Sequence, residues 1–520
     1  MADKIVIDPV TRIEGHLKIE VEVADGVVKD AWSTGTMYRG FEQLLVGKDP
    51  RDPVRITQRI CGVCNSIHGI TSALCLDDAF KAVVPDAGRI IRNLIFAFDW
   101  IGDHPLHFYH LSALDYLDVM AVANYSGNDP ALKAVKAKIV GLVEANDTYP
   151  LTPRYEPDQF SISDPEIVTT AVSHYLKALE MRKKTHDLMA LWSGRVPFFQ
   201  NVVPGGVGIR PTVQKIYESL ARMKELRDFI ENTYWADVLA LGTGPLKPIH
   251  DLKIGYGVGN YISYGAFDQK KSGDLKNRFF KSGIIDGLDL KNIKDVDAKK
   301  ITEDVKYSWY KSKSNLNPAK GETDPDPKKQ GAYSFLKSPR YDGKPHEGGP
   351  LARMLILQDK AFVDVATQIG LWPSAVARHA ARAYETVLLA KEVEKWLLEL
   401  ATMIDKDPEA SVCDDKDVPT SAEGMGLTDA PRSANGHWIS IEGGKIKMYQ
   451  IVVASTWNFS PRDDKGVRGP VEEALVGTPV PDPANPNNVV RVVRSFDPCL
   501  ACSVHIIHPD SNKILKFEIQ

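Results

Sequence analysis

A chain of 520 residues with 43% hydrophobic, 25% charged and 8% aromatic residues has the proportions of an ordinary folded protein, which excludes a disordered or fibrous one. Its length suffices for one extended body or for two or three domains, since single cores stop growing near ~250–300 residues. The formal charge of −4, with Lys and Arg dispersed, excludes the broad basic field that steers proteins to nucleic acid or anionic lipid.

The start, MADKIVIDPVTRIEG, lacks a basic region followed by an apolar run, and no later stretch reaches the ~20 apolar residues that cross a bilayer. Read by itself, the chain is expected to be cytosolic and soluble. Residues 4–35 alternate apolar and polar positions in IVIDPV, LKIEVEVAD and VVKDAW, with Asp25-Gly26 as a hairpin signal. A small sheet is expected there. From about 51 to 240 the apolar spacing turns helical, as in GRIIRNLIFAFDWI and VTTAVSHYLKALEMRKKTHDLMALW, and another helical pattern runs from about 357 to 404. Between them, residues 250–345 carry YGVGNYISYGAF and then a Lys-, Asp-, Gly- and Pro-rich stretch, which reads as strands and loops of a peripheral elaboration. From 437 to 500 the strand-like runs KMYQIVVAS and NVVRVVRSF alternate with Pro-rich loops. The expected class is α+β and mainly helical, a long-helix bundle core with peripheral small sheets, in a single large body over 1–505.

Six cysteines in so long a chain do not make a disulfide framework. Cys75 and Cys413 stand alone, whereas Cys61/Cys64 and Cys499/Cys502 form two CxxC pairs near opposite ends of the chain. Each pair brings two thiolates to one metal, and a fold that joins the ends makes a four-sulfur site. On the cysteines alone, structural zinc or an iron-sulfur cluster is the commoner outcome. The neighbours argue for something more reactive. In RICGVCNSIHGI, His68 follows Cys64 by one helical turn, and in RSFDPCLACSVH, His505 follows Cys502. A hydrogen bond to a ligating sulfur tunes its basicity, and a carboxylate nearby moves protons.

These two segments resemble the paired signatures of nickel-iron hydrogenase large subunits. Further segments resemble the family in its order: DPVTRIEGH at 8–16, YRGFE at 38–42, GDHPLHFYH at 102–110, GGPLAR at 348–353, APRSANGHW at 430–438 and ASTWNFSPRD at 454–463. Two departures stand out. Ser433, Ala434 and Asn435 stand where the family usually has Gly, Ala and Leu, so that the first and third differ, and Ala454 stands where Pro is common; neither removes a ligand, and both are expected to alter packing around the site.

The resemblance implies a catalytic body in which Cys61 and Cys499 are terminal nickel ligands, while Cys64 and Cys502 bridge nickel to an iron carrying cyanide and carbon monoxide. It implies that Glu14 takes a proton from Cys499, that Arg432 stands over the open metal position between Asp103 and Asp497, and that Ser455 faces a cyanide. His68 is expected to donate to the sulfur of Cys64 or Cys502. His104, His107 and His110 have helix-face spacing and read as packing and hydrogen-bonding residues. The family also holds magnesium, here by Glu42, the carbonyl of Ile451 and His505; carboxylate and carbonyl suit that ion. Family members end at the His of DPCxxCxxH after an endopeptidase acts, which would cut between His505 and Ile506 and make 506–520 a cleavable extension.

The implied activity is reversible heterolytic oxidation of H2 to protons and electrons. With both pairs used, only Cys75 and Cys413 remain, too few for a series of clusters; the resemblance implies an iron-sulfur small subunit to carry the electrons and a cytochrome-type acceptor. Nickel-insertion factors and the endopeptidase are further implied partners. Family members of this kind are periplasmic or membrane-associated through the small subunit, with cytoplasm as the alternative. Two competing readings remain: a non-catalytic relative such as the quinone-side subunit of respiratory complex I, which lacks the cysteine quartet, and a zinc-stabilised interaction protein, which needs neither nickel nor Glu14.

Overall fold

In the computed structural model, residues 3–152 and 154–500 are described. Strands Asp3–Ile7, Leu17–Ala24 and Val27–Gly35 form an antiparallel sheet in that order. Leu17, Ile19, Val21 and Val23 are buried on alternate positions, the period expected of a half-covered sheet. Asp25 and Gly26 both have positive φ, 56° and 70°, so the hairpin turns as the sequence signals.

The core is a set of long helices: Asn65–Phe80, Asp86–Leu106, Pro165–Ser193, Val213–Phe229 and Ala375–Lys406. Asp86–Leu106 packs against Pro165–Ser193 on one side and Ala375–Lys406 on another. Its residues from Ala87 to Pro105 are all buried, so it has no solvent face and its polar side chains must find partners inside. Starts are set by local chemistry. Asp164 accepts from the amides of Glu166 and Ile167 with Pro165 in the first turn, and Ser374 accepts from Ala377, satisfying donors that a helix N-terminus leaves open.

A second antiparallel sheet, Ser421–Asp429, Ala434–Glu442 and Lys445–Val452, lies against Asn65–Phe80. Gly424 and Gly426 allow that contact, because a Cβ on either would run into the main-chain carbonyls of Cys75 and Thr71. No helix among the described residues is long and apolar enough to cross a membrane.

Three expectations differ from the structure. The run NVVRVVRSF is helical, Asn487–Ser495. Its β-branched residues suggest a strand, but the valines are fully buried while Arg491 and Arg494, three apart, reach Asp158 and Asp115. Tertiary ion pairing and burial override β-propensity. The pattern from 357 to 404 is broken: Lys360–Ile369 ends at Gly370, and Ala375–Lys406 restarts after the Ser374 cap. Residues 250–345 do form short strands and loops, but they are not all peripheral. Tyr261, Ile262, Tyr264 and Ala266 are fully buried, and Asp429 accepts from the hydroxyl of Ser263 and the amide of Tyr264.

Candidate metal centre

Glu14 and Cys499 are bridged in parallel: the Glu14 amide donates to the Pro498 carbonyl at 3.3 Å, and Leu500 donates to the Glu14 carbonyl at 2.7 Å. This joins the two ends of the chain. Cys61 is extended, after a tight turn at Thr57–Ile60, and Cys64 precedes Asn65–Phe80. The Cys499 sulfur lies 3.3 Å from Cys61 Sγ and 3.5 Å from Cys64 Sγ. Cys61 Sγ also accepts from the amides of Val63 and Cys64, at 3.3 and 3.2 Å. All three cysteines are buried.

Three sulfurs this close repel one another as thiolates, and a soft cation removes that repulsion. The donor set therefore fits a thiolate-bound transition metal. Among the described residues, these cysteines are the one group of three or more His, Cys, Asp or Glu side chains placed to hold an ion. Cys502, the expected fourth ligand, lies outside the described residues.

Around the sulfurs stand the groups expected there. Glu14 Oε2 is 3.7 Å from Cys499 Sγ, and Glu14 is only half-buried, so it connects the buried site to more open surroundings. Arg432 Nη1 is 2.5 Å from Asp103 Oδ2, and its Nε forms an ion pair with Asp497 Oδ1 at 3.1 Å. Burial opposes the charge of Arg432, but Asp103 and Asp497 outweigh it and hold the guanidinium above its ordinary range. Ser455 Oγ accepts from the Cys499 amide at 3.1 Å, leaving its hydroxyl proton for another partner.

Arg353 carries a role that sequence reading missed. Fully buried, it pairs with Glu385 and donates to the carbonyls of Ala430 and Pro431 at 2.9 and 2.7 Å. It thereby anchors the segment that leads into Arg432. Its signal was its place in GGPLAR, but nothing in that segment names its partners.

His68 differs from its expected contact. Its Nδ1 lies 3.3 Å from His437 Nε2, and its Nε2 has no hydrogen-bond partner among the described residues. Burial brings its pKa down to about 4, so the ring is neutral. His104, His107 and His110 each take a separate partner: the carboxylate of Glu385, the carbonyl of Arg494 and the carbonyl of Tyr175.

Asp99 was also missed. It is buried and accepts from the Ser66 hydroxyl. Burial, followed by the neighbouring Asp103 carboxylate, pushes it up to about 7 from the ordinary 3.8. The folded chain keeps a proton there that the unfolded chain releases, so this site costs stability progressively as pH rises from about 4 to about 7 and no more above that. Asp99→Asn cannot lose that proton. It is expected to gain roughly 3 kcal/mol relative to the parent between about pH 5 and pH 8, read by denaturant unfolding at both values. An unchanged difference would mean an ordinary exposed-type carboxyl.

Near the first sheet, Glu42 Oε1 accepts from the Ile451 amide at 2.8 Å, and Oε2 accepts from the Thr323 hydroxyl. Because the Ile451 N–H turns to Glu42, its carbonyl faces the same side of the strand. A cavity of about 70 Å³ is lined there by Glu42, Glu303, Lys337 and Ile451. Lys337 is paired with Glu303 at 3.3 Å, which leaves Glu42 and the carbonyl as oxygen donors that fit a hard cation. His505 and the bond to Ile506 lie outside the described residues. Glu303, Lys337 and Thr323 come from the 250–345 stretch, whose sequence gives no sign of this site.

Residues 39–505 match the family model described as nickel-dependent hydrogenase, and residues 4–33 match one described as HoxL-like. The chain is 42% identical to the periplasmic [NiFeSe] hydrogenase large subunit of Desulfomicrobium baculatum, covering 98% of this chain and 96% of that one. It is 35% identical to the hydrogenase-2 large chain of Escherichia coli, with 100% of each covered. The solved Ni-Fe-Se hydrogenase of D. vulgaris Hildenborough in its reduced state superposes with a TM-score of 0.85 at 42% identity, covering 97% of this chain and 100% of that one.

Proposed function

This chain belongs to the nickel-dependent hydrogenase large-subunit family, and from that premise we propose that Cys61, Cys64, Cys499 and Cys502 hold a nickel-iron centre with cyanide and carbon monoxide on the iron. When bound, that centre supplies heterolytic cleavage of H2. The single observation that carries the reading is the convergence of three buried sulfurs within 4.8 Å of one another, with a carboxylate and a guanidinium beside them.

The residues of the chain then divide the work. Cys499 is the first base, because Arg432 is a guanidinium held charged by two carboxylates and is not deprotonated in proteins. Arg432 instead supplies fixed positive charge over the reacting position. Glu14 receives the proton from Cys499 Sγ and passes it outward. The buried walls around the cysteines exclude bulk water and strengthen these charge interactions. Ser455, whose hydroxyl proton is available, stands ready to donate to a cyanide.

Glu42, the Ile451 carbonyl and His505 hold magnesium in this reading. Electrons leave through an iron-sulfur small subunit toward a cytochrome-type acceptor, because the two remaining cysteines make no cluster of their own: Cys75 Sγ contacts the Gly424 carbonyl and Cys413 Sγ the Pro204 carbonyl. Nickel-insertion factors load the site, and an endopeptidase cutting after His505 removes 506–520. The assembly is periplasmic or membrane-associated through the small subunit.

The test is infrared spectroscopy with metal analysis on the chain purified with its native partner. Bands of metal-bound CO and CN are expected, with nickel and iron near parity. Relatives named for selenium notwithstanding, selenium at parity with nickel is not expected, since all four ligand positions are cysteine. Zinc alone in a correctly matured sample would leave a structural four-cysteine site.

A further inference from the structure

Glu14 and Cys499 meet where two irregular segments run side by side, and a residue from a third segment ties those two together. Residues 8–16 lie between the strands Asp3–Ile7 and Leu17–Ala24 and belong to neither, while residues 496–500 follow the helix Asn487–Ser495. Contacts rather than regular structure therefore place them. Asp115, which closes the turn Ala113–Asp115 and is 4% exposed, supplies the contact. From the first segment, Arg12 Nη2 pairs with Asp115 Oδ1, and Arg12 Nη1 donates to the Leu111 carbonyl at 2.8 Å. From the other side, Arg494 Nη1 donates to both carboxylate oxygens of Asp115, at 2.6 and 2.7 Å. Arg494 Nε also reaches the first segment directly, donating to the Thr11 carbonyl at 2.9 Å. Arg491, one turn earlier in the same helix, donates from Nε and Nη2 to the main-chain carbonyl of Asp115 at 2.9 and 2.7 Å and so fixes the carboxylate in place.

Arg12 stands two residues before Glu14, and Arg494 five before Cys499. Arg12 has a positive φ of 54°, a conformation that a bulky residue keeps only when its surroundings hold it. Its two bonds do so here. The two guanidiniums are near enough to repel each other, and in a buried setting that repulsion is strong unless an anion sits between them. Burial opposes the charge of Asp115, but Arg12 and Arg494 outweigh it and hold the carboxyl below its ordinary range. The main-chain bonds of Glu14 to residues 498 and 500 pair the segments, one of them at a long 3.3 Å; the charge of Asp115 draws them together.

We infer that Asp115 is a positioning residue: by holding Arg12 and Arg494 on one carboxylate, it sets the approach of Glu14 to the Cys499 sulfur. That approach has little slack, since Glu14 Oε2 is already 3.7 Å from Cys499 Sγ and direct proton transfer needs hydrogen-bond reach. Asp115 touches neither group itself. The inference rests on the proton route through Glu14 proposed above.

The experiment compares parent, Asp115→Asn, Glu14→Gln and the double variant, each purified with the native partner and matched for nickel content. Asn keeps the size and one acceptor oxygen but not the charge. Turnover of Asp115→Asn is expected to fall about 10²-fold, the worth of a ~1 Å misplacement, with faster amide exchange in peptides covering 10–17 and 495–500 and unchanged exchange over 65–80. Because Asp115 acts through Glu14, the double variant is expected within about two-fold of Glu14→Gln alone, whereas a merely structural loss would multiply with it. Multiplying losses, or parent-like turnover or exchange in Asp115→Asn, would overturn the inference and leave the Glu14 route standing. Asp115→Asn leaves two buried guanidiniums facing each other, so Arg12→Gln, which keeps the Asp115–Arg494 pair, is made alongside. If Asp115→Asn does not accumulate, multiplying losses between Arg12→Gln and Glu14→Gln overturn the inference. Parent-like turnover in Glu14→Gln alone would instead remove the proton route, and this inference with it.

Discussion

Replacing Cys499 with Ser is expected to abolish nickel retention and H2 turnover together while leaving the chain folded. Its sulfur is the one that meets both of the others, at 3.3 Å to Cys61 and 3.5 Å to Cys64. A serine hydroxyl is smaller and harder and does not ionise in this range, so it replaces a soft anionic donor with a neutral oxygen that suits nickel poorly. The fold does not depend on that sulfur. The bonds that join the chain ends run from Glu14 to Pro498, from Leu500 to Glu14 and from Cys499 to Ser455, and all use main-chain atoms of residues 498–500. Elemental analysis, dye-linked H2 oxidation and thermal unfolding of the purified complex separate these effects. A Cys499→Ser complex with full nickel and parent-like turnover would sink the ligand assignment.

Glu14→Gln is the second large effect, and it differs in kind. Gln keeps the size and one acceptor oxygen of Glu but cannot take up a proton and release it again. Metal content, infrared bands and melting temperature are therefore expected to match the parent, while steady-state turnover falls about 10²–10⁴-fold, the usual worth of a positioned acid-base group. The reason is location: Glu14 Oε2 is 3.7 Å from Cys499 Sγ, and Glu14 is half-buried where the cysteines are buried. Turnover within a few-fold of the parent would show that protons leave by another route. The buried Asp99–Ser66 pair would then be the next group to test.

The two predictions draw on different kinds of legibility. Cys61, Cys64 and Cys499 were identified from residue type and spacing, because few side chains provide soft thiolates and CxxC is short enough to act within one local turn. Glu14 and Arg432 carry no such signal alone; they emerged from segment resemblance, and the structure brings both to the sulfurs. Asp115, Arg353 and Asp99 were overlooked for a common reason. Each is an ordinary residue in a helix or turn, and its significance comes from a partner far away in the chain, as with Asp115 and Arg494 or Arg353 and Pro431.

The fold divides similarly. Alternation over 17–24 and the Asp25-Gly26 turn were readable because a two-residue period and a positive-φ turn are local properties. NVVRVVRSF was misread because its valines favour strands locally, whereas its arginines had already committed it to Asp115 and Asp158 on other elements.

The sequence by itself determined the donor chemistry, the hairpin and the helical character of the long core segments, since these depend on side-chain type and on periods of a few residues. Tertiary structure alone decided that the first and last segments meet through Glu14 and Cys499, that Arg432 is held between Asp103 and Asp497, and that Asp115 gathers Arg12 and Arg494. These are long-range contacts between groups that are costly to bury alone. Which partner satisfies each of them is set by how the helices and sheets pack, not by the neighbours of any residue in the chain.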